Sequence, residues 1–191
     1  PMLENISATR MEQLRLRRRV ELAGRGHRLL SQKRDEISRQ LVKIAGELRP
    51  LRERVEAELL ETTRRFMMAR ATMEPEDMAA AIDVPTKQFA LTVQFASIMS
   101  VRVPQLTKDI AGEIMCYGFS TTSGELDVAL RALERAFDSL IELAAKEKQA
   151  MLLATELQST RRRVNVLEHV VIPNIQETIR YITDKLSLIH I

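Results

Sequence analysis

Residues 16–55 read LRRRVELAGRGHRLLSQKRDEISRQLVKIAGELRPLRERV, and the placing of their apolar residues decides the fold. Alternate steps of four and three from Leu16 pass through Val20, Ala23, His27, Leu30, Arg34, Ile37, Leu41, Ile44, Leu48, Leu51 and Val55. Ten of these twelve positions are apolar. A heptad repeat sustained this long is the pattern of a coiled coil rather than of a short amphipathic helix. Thr9, with Glu12 three residues on, forms a capping box, so the helix is expected to start there and to run to about residue 71. At ~1.5 Å per residue it would be on the order of 90 Å long, which describes a rod rather than a globule.

A second seam enters at Leu126, Leu130, Leu133, Phe137, Leu140 and Ala144, capped by Ser123 or by Thr122 with Glu125. Its continuation through Met151, Ala154, Leu157, Val164, Leu167, Val171, Ile175 and Ile182 drifts after Ala154, which predicts a change of phase there. Folding the chain about its midpoint sets side by side residues whose numbers total about 195. The predicted fold is all-α dominated: a long antiparallel two-helix coiled coil made from the N- and C-terminal segments, with a small middle insert. The expected division is a first coiled-coil helix over 1–71, the insert over 72–124, a second coiled-coil helix over 125–185 and a tail over 186–191. In the insert, residues 74–81 suit a short helix with Pro75 in its first turn. Phe89, Leu91, Val93 and Phe95 alternate with small or polar neighbours, which predicts a half-buried strand. A partner strand over 98–103 should end before Pro104, and residues 117–124 read as a loop.

Several residues interrupt the heptads. Gly24 and Gly26 each cost about 1 kcal/mol relative to Ala, which suits either local flexibility or a close approach of the second helix near residues 170–173. Pro50 removes a donor and crowds the Gly46 carbonyl, so a kink or break is expected there, and Pro173 should kink the second helix. His27 and Arg34 stand in the seam, where polar side chains fix register at a cost in stability. Arg15, Arg17, Arg18, Arg19, Arg25 and Arg28 all fall outside the arc that holds Leu16 to Leu30, at about 100° per residue. They coat this end with positive charge, as a solvated face or as a docking surface.

Composition agrees with long helices: 45% hydrophobic residues, only 4% aromatic, no Trp, and six each of Gly and Pro. Residues 1–71 carry 17 Lys and Arg against 10 Asp and Glu, and the remainder 12 against 16, so an acidic partner is expected at the basic end. A single cysteine, Cys116, rules out an internal disulfide and reads as a small hydrophobe. The longest uncharged run, 88–101, falls short of the ~20 residues of a membrane-spanning helix, so no direct membrane insertion is expected and a cytoplasmic location is the default. There is no phosphate-binding Gly-rich loop, and His27, His169 and His190 have no metal-ligand spacing. No catalytic residue, cofactor or metal is therefore expected. The basic helix has no interleaved aromatics, which disfavours nucleic acid.

Two segments carry a resemblance. Gly26-His27-Arg28-Leu29-Leu30-Ser31-Gln32-Lys33-Arg34-Asp35-Glu36 resembles the first-helix signature of the D subunit of archaeal and bacterial A/V-type ATPases. Arg162-Arg163-Val164-Asn165-Val166-Leu167-Glu168-His169-Val170-Val171-Ile172-Pro173-Asn174-Ile175, continuing through Thr178 to Ile182, resembles that family's second signature. The resemblance is weak between residues 71 and 124. Ala8-Thr9-Arg10 stands where the family has Pro-Thr-Arg, and Pro50 departs from its uninterrupted helix.

The resemblance implies a non-catalytic rotor shaft in the central stalk, transmitting torque between ATP turnover in a hexamer of A and B subunits and ion translocation in the membrane ring. Implied partners are the A and B subunits, the F subunit, and the C subunit on the membrane rotor ring. Such a protein is peripheral to the membrane through its complex. Expected contact or structural residues are Arg17, Arg18, Arg19, Gly26, His27, Lys33, Arg34, Asp35, Arg162, Arg163, Asn165, Glu168 and Pro173. Two alternatives stay open: a gamma-like shaft of an F-type synthase, and a free-standing coiled-coil scaffold. The last six residues, 186–191, match the translation of a sequencing-adaptor end, so the natural chain is expected to continue beyond Lys185 and to start at Met2.

Overall fold

The computed structural model describes residues 7–83, 88–112 and 123–189. In chain order these form helix α1 (Arg10–Thr72), short helix α2 (Pro75–Ile82), strands β1 (Gln88–Ile98) and β2 (Val101–Ala111), helix α3 (Gly124–Val166), a π turn (Leu167–Val171) and helix α4 (Ile172–Ile189). Long helices from the two ends of the chain pack together and a two-stranded sheet lies between them in sequence, as expected. The chain divides into two compact units, one of Pro1–Gln40 with Ala154–Ile191 and the other of Leu41–Leu153.

Helix α1 starts where the cap predicts. The Glu12 N–H donates to Thr9 Oγ1 at 3.3 Å, and the Gln13 N–H to the Thr9 carbonyl at 3.0 Å. The reciprocal half of the capping box is not made: the Thr9 N–H donates to the Ser7 carbonyl, and the Glu12 carboxylate faces Arg15. All twelve heptad positions from Leu16 to Val55 are buried or half-buried, and the six flanking arginines are exposed. No break occurs at Pro50, which lies inside the continuous 63-residue α1. The lost hydrogen bond and ring clash cost about 3 kcal/mol, and burial of Ile44, Leu51 and Val55 around the proline outweighs it.

In the unit containing the chain ends, α1 runs antiparallel to α4 and the end of α3. Gln13 Nε2 donates to Thr183 Oγ1 at 2.7 Å, and Leu16 packs with Ile175 and Ile182. The glycine expectation of close approach is overturned. A Cβ built on Gly24 or Gly26 meets nothing within 4 Å, so neither glycine receives the second helix.

Along α3, buried Leu153, Leu157, Thr160 and Val164 follow steps of four and three. Met151, at 60% exposure, and Ala154 are off the seam, whereas Leu157 and Val164 are on it as expected, and the change of phase expected after Ala154 falls at the π turn instead. Extrapolated in the same steps, the seam would run onto Asn174, Thr178, Tyr181 and Lys185, all polar. The π turn prevents this. Its i→i−5 ring, closed by the Ile172 N–H on the Leu167 carbonyl, takes up one residue more than an α turn. The seam therefore resumes one position later, on Ile175, Ile179, Ile182 and Leu186. Pro173, which has no N–H to give to the carbonyl of His169, sits just after the wide turn, so the expected disturbance takes the form of a π turn. Helix α4 continues to Ile189 with Leu186 packed on the Leu16 cluster.

In the other unit, Ala69 of α1 packs on Leu126 and Leu130 of α3, with Met73, Met78 and Ala81 around them. This fixes α2, whose Pro75 occupies its first turn as expected. Thr72 Oγ1 lies 3.2 Å from Ser123 Oγ, so the Ser123 hydroxyl meets α1, while its carbonyl accepts the Leu126 N–H at 3.0 Å. Leu133 and Phe137 are 37% and 40% exposed, contrary to the expected seam, and Ala129, Ala132, Ala136 and Ser139 are buried instead. Small residues fill the buried positions on that side, and Phe137 is turned to the hairpin, edge-on to Phe89 at 4.6 Å between ring centroids.

The hairpin is longer than expected. Strand β2 does not stop before Pro104, which pairs with Phe95, and the ladder runs from Ile98↔Val101 back to Gln88↔Ala111. Two strands alone leave Pro104 on an edge, where a missing N–H is tolerated. The two-residue turn is Met99-Ser100, both with positive φ (51° and 68°), the hand that matches strand twist. Phe89, Leu91, Val93 and Phe95 are more exposed than a half-buried strand would have them, at 39%, 45%, 47% and 70%, while Val103 near the turn is buried. The strong twist of a two-stranded ribbon turns its covered face between base and tip. Cys116, Thr122 and residues 117–121 of the expected loop, together with His190, lie outside the described residues; Gly124 already belongs to α3.

Candidate functional site

Every residue picked out from the two signatures, and Arg17, Arg18 and Arg19 with them, falls in the unit that joins residues up to Gln40 with those from Ala154. Antiparallel pairing brings the signatures together. His27 Nε2 lies 3.4 Å from Glu168 Oε2, one signature against the other across 141 positions of chain. Lys33 Nζ donates to Glu156 Oε1 at 2.8 Å, with both side chains less than a third exposed. Glu156 was not among the expected residues, although the rule that paired numbers total about 195 leads to its neighbourhood.

Arg34 does not reach across the seam. Its guanidinium turns to the adjacent Asp35, with Nε 2.9 Å from Oδ1. Arg34, Asp35 and Ser38 of α1, with Arg161 and Asn165 of α3, line one shallow polar depression. Arg162, Arg163, Asn165 and Pro173 are exposed, and Gly26 is half-buried with open space before it. Arg17, Arg18 and Arg19 point to solvent. The surface is thus a cationic helix face on α1 beside a short basic run on α3. Exposed Leu22 and Leu29, at 66% and 67%, are interleaved with the exposed Arg18 and Arg25 on that face. Such a face can hold an acidic surface that also offers apolar contact.

The other unit has its own cross-helix ion pairs, which the sequence reading did not single out. Lys146 Nζ donates to Glu47 Oε2 at 2.8 Å and Arg54 donates to Glu142 at 3.0 Å, and Arg52 pairs with Glu147. The hydrogen bond from Lys146, and then its charge, hold the Glu47 carboxyl below its ordinary value. Hydrogen bonding and charge from Glu147 raise Arg52 further, and Glu61 does the same for Arg65. Applying the pairing rule to charged residues, and not only to apolar ones, would have found these bridges.

Among the described residues no group of three His, Cys, Asp or Glu side chains could hold a metal ion, and no helix is long and apolar enough to cross a membrane. The arrangement is one of helix pairing and exposed charge.

Comparison with known proteins gives these surfaces a family. The chain is 43% identical over 186 residues to the V-type ATP synthase D subunit of Acetivibrio thermocellus, covering 95% of this chain and 84% of that one. It is 44% identical over 186 residues to the protein of the same name from Clostridioides difficile, covering 96% and 84%. With that of Fusobacterium nucleatum it shares 41% over 185 residues, covering 95% and 88%. The family model for the ATP synthase D subunit matches residues 12–187. The match takes in both signatures, both long helices and the hairpin, and the chain belongs to the ATP synthase D-subunit family.

Proposed function

We propose that this chain is the non-catalytic central-stalk rotor subunit of an A/V-type rotary ATPase, carrying torque between ATP turnover in the A/B hexamer and ion movement in the membrane ring. The observation that carries the reading is the family match across residues 12–187, both paired helices included. The physics fits the task. A shaft under torque must resist sliding of one helix on the other, and here the apolar seam is supplemented by cross-helix pairs: His27–Glu168 and Lys33–Glu156 in one unit, Glu47–Lys146 and Arg54–Glu142 in the other. Each exposed pair alone contributes little, but several at one register oppose a slip that would break them all together.

Arg15 to Arg28 and Arg161 to Arg163 meet acidic or polar surfaces inside the hexamer in this reading. The F subunit, and the C subunit on the membrane ring, join the shaft elsewhere, and the chain lies on the cytoplasmic side. Family membership favours this shaft over a gamma-like one. The test is reconstitution with the A, B and F subunits. Changing Arg17→Glu, Arg18→Glu and Arg19→Glu together should lower assembly or uncouple ATP hydrolysis from rotation; unchanged assembly and coupling would remove the docking role of this face.

A further inference from the structure

The level of Gly24 to His27 on α1 and Leu167–Val171 on the opposite helix is unlike the rest of its unit. Between Leu16 and Ile37 no side chain of α1 is fully buried, and between Val164 and Ile175 none of the opposite helix is. No residue of the π turn is fully buried, and Val171 at its end packs against the Leu16 cluster. Both glycines face open space. The cross-helix polar contact recorded at this level is His27 to Glu168 at 3.4 Å, with both side chains partly exposed. Above and below, the packing is normal: Leu157, Thr160 and Val164 on one side, Leu16 with Ile175 and Ile182 on the other.

We propose that this level is a torsional joint built into the helix pair, where α4 turns against α1 while the seams on either side stay closed. Three features act together. Glycines give the backbone of α1 freedom that Ala would remove. A π turn interrupts the i→i−4 ladder and is a place where helices bend. With no fully buried side chain to interlock, and Val171 packed only at the edge of the Leu16 cluster, rotation of one helix past the other costs less packing here than at Ile37 or Val164, where it would open the core. His27 and Glu168 act as a loose tether that limits the turn. The mechanical use of the joint, storing twist while one end of the shaft is driven and the other is held, rests on the rotor reading; the joint itself does not.

Hydrogen exchange on the intact wild-type chain tests the joint without any variant. Amides of residues 165–172 and 22–28 should exchange at least about tenfold faster than those of 157–163 and 175–182. Uniform protection across 157–182 would overturn the proposal. Gly24→Ala with Gly26→Ala should slow exchange at this level and raise the melting temperature, and a lower melting temperature would contradict the open packing. In a reconstituted complex, joining His27→Cys to Glu168→Cys by a disulfide should stiffen the shaft, seen as smaller angular fluctuation of an attached bead. Unchanged fluctuation would overturn the joint, whereas a complex that never turns, on a chain with the expected exchange pattern, would remove the rotor reading alone.

Discussion

Lys33 Nζ reaches Glu156 Oε1 at 2.8 Å, tying the first signature helix to α3 across 123 positions of chain. The two side chains are 28% and 27% exposed, so the pair is neither desolvated nor freely hydrated. Lys33→Met and Glu156→Gln should each lose on the order of 1 kcal/mol. A double-mutant cycle by urea unfolding should return a coupling of about 0.5–1 kcal/mol. A coupling of zero would mean the bridge adds nothing to the pairing register.

Glu47 supplies a pH dependence whose sign can be worked out. Its folded carboxyl lies below the ordinary value of 4.5, chiefly through the hydrogen bond from Lys146 and then that cation's charge. An unfolded chain therefore takes up the proton first as pH falls. The stabilisation from this pair is fully present above 4.5 and disappears as pH drops through the lower folded value. Melting curves of the wild type and Lys146→Met should differ by a constant amount near neutrality and converge below that pH. Curves that diverge on acidification would reverse the assignment.

The seam makes two opposite predictions for buried side chains. Ile37 is fully buried, and Ile37→Ala should cost about 2–4 kcal/mol, while Leu29→Ala, at a site 67% exposed, should change stability by less than about 0.5 kcal/mol. Thr160 is 1% exposed, and its hydroxyl has no hydrogen-bond partner among the described residues. Thr160→Val keeps the shape and removes the unpaired oxygen, so it should stabilise by about 1 kcal/mol. Chemical denaturation of the three variants reads all of these.

The phase account of the π turn is tested by shortening the chain. Deleting Val170 lets the wide turn close as an α turn and carries the seam on through Leu153, Leu157, Thr160 and Val164 to Ile175 and Ile182 in unbroken heptad steps. The melting temperature should stay within a few degrees of wild type. Deleting Gln158 instead would rotate Thr160 and Val164 by about 100° off the seam and should abolish cooperative unfolding. Equal damage from both deletions would show that the π turn does not absorb an extra residue.

The first helix was legible because its partner surface is a single stripe. Leu, Ile and Val at strict heptad spacing leave one face to bury, and with it the exposure of Arg17, Arg18 and Arg19 and the pairing of residue 27 with 168 follow. Helix α3 was less legible because two neighbours compete for it. Alanines at 129, 132 and 136 take the buried positions, while the larger Phe137, which dominates any apolar count, meets the hairpin. The hairpin turn carried no signal, since Met99 and Ser100 are not residues that favour positive φ. Pro104 argued against the longer strand because an edge position cannot be read from sequence. At the candidate surface, the signatures pointed to His27, Lys33 and Glu168, but Glu156 lies outside both and belongs to the pairing register. The exposure of the arginine face follows from the heptads, whereas the docking proposed for it depends on another chain's sequence.

The central claim is that this helix pair turns inside a ring of A and B subunits. Its most direct measurement attaches a bead to the hairpin through Ser100→Cys in a reconstituted complex with surface-fixed A and B subunits. Observed by microscopy with ATP supplied, the bead should rotate in one direction in steps that recur three times per turn. A bead that stays fixed or only diffuses, while the same complexes hydrolyse ATP, would contradict the account.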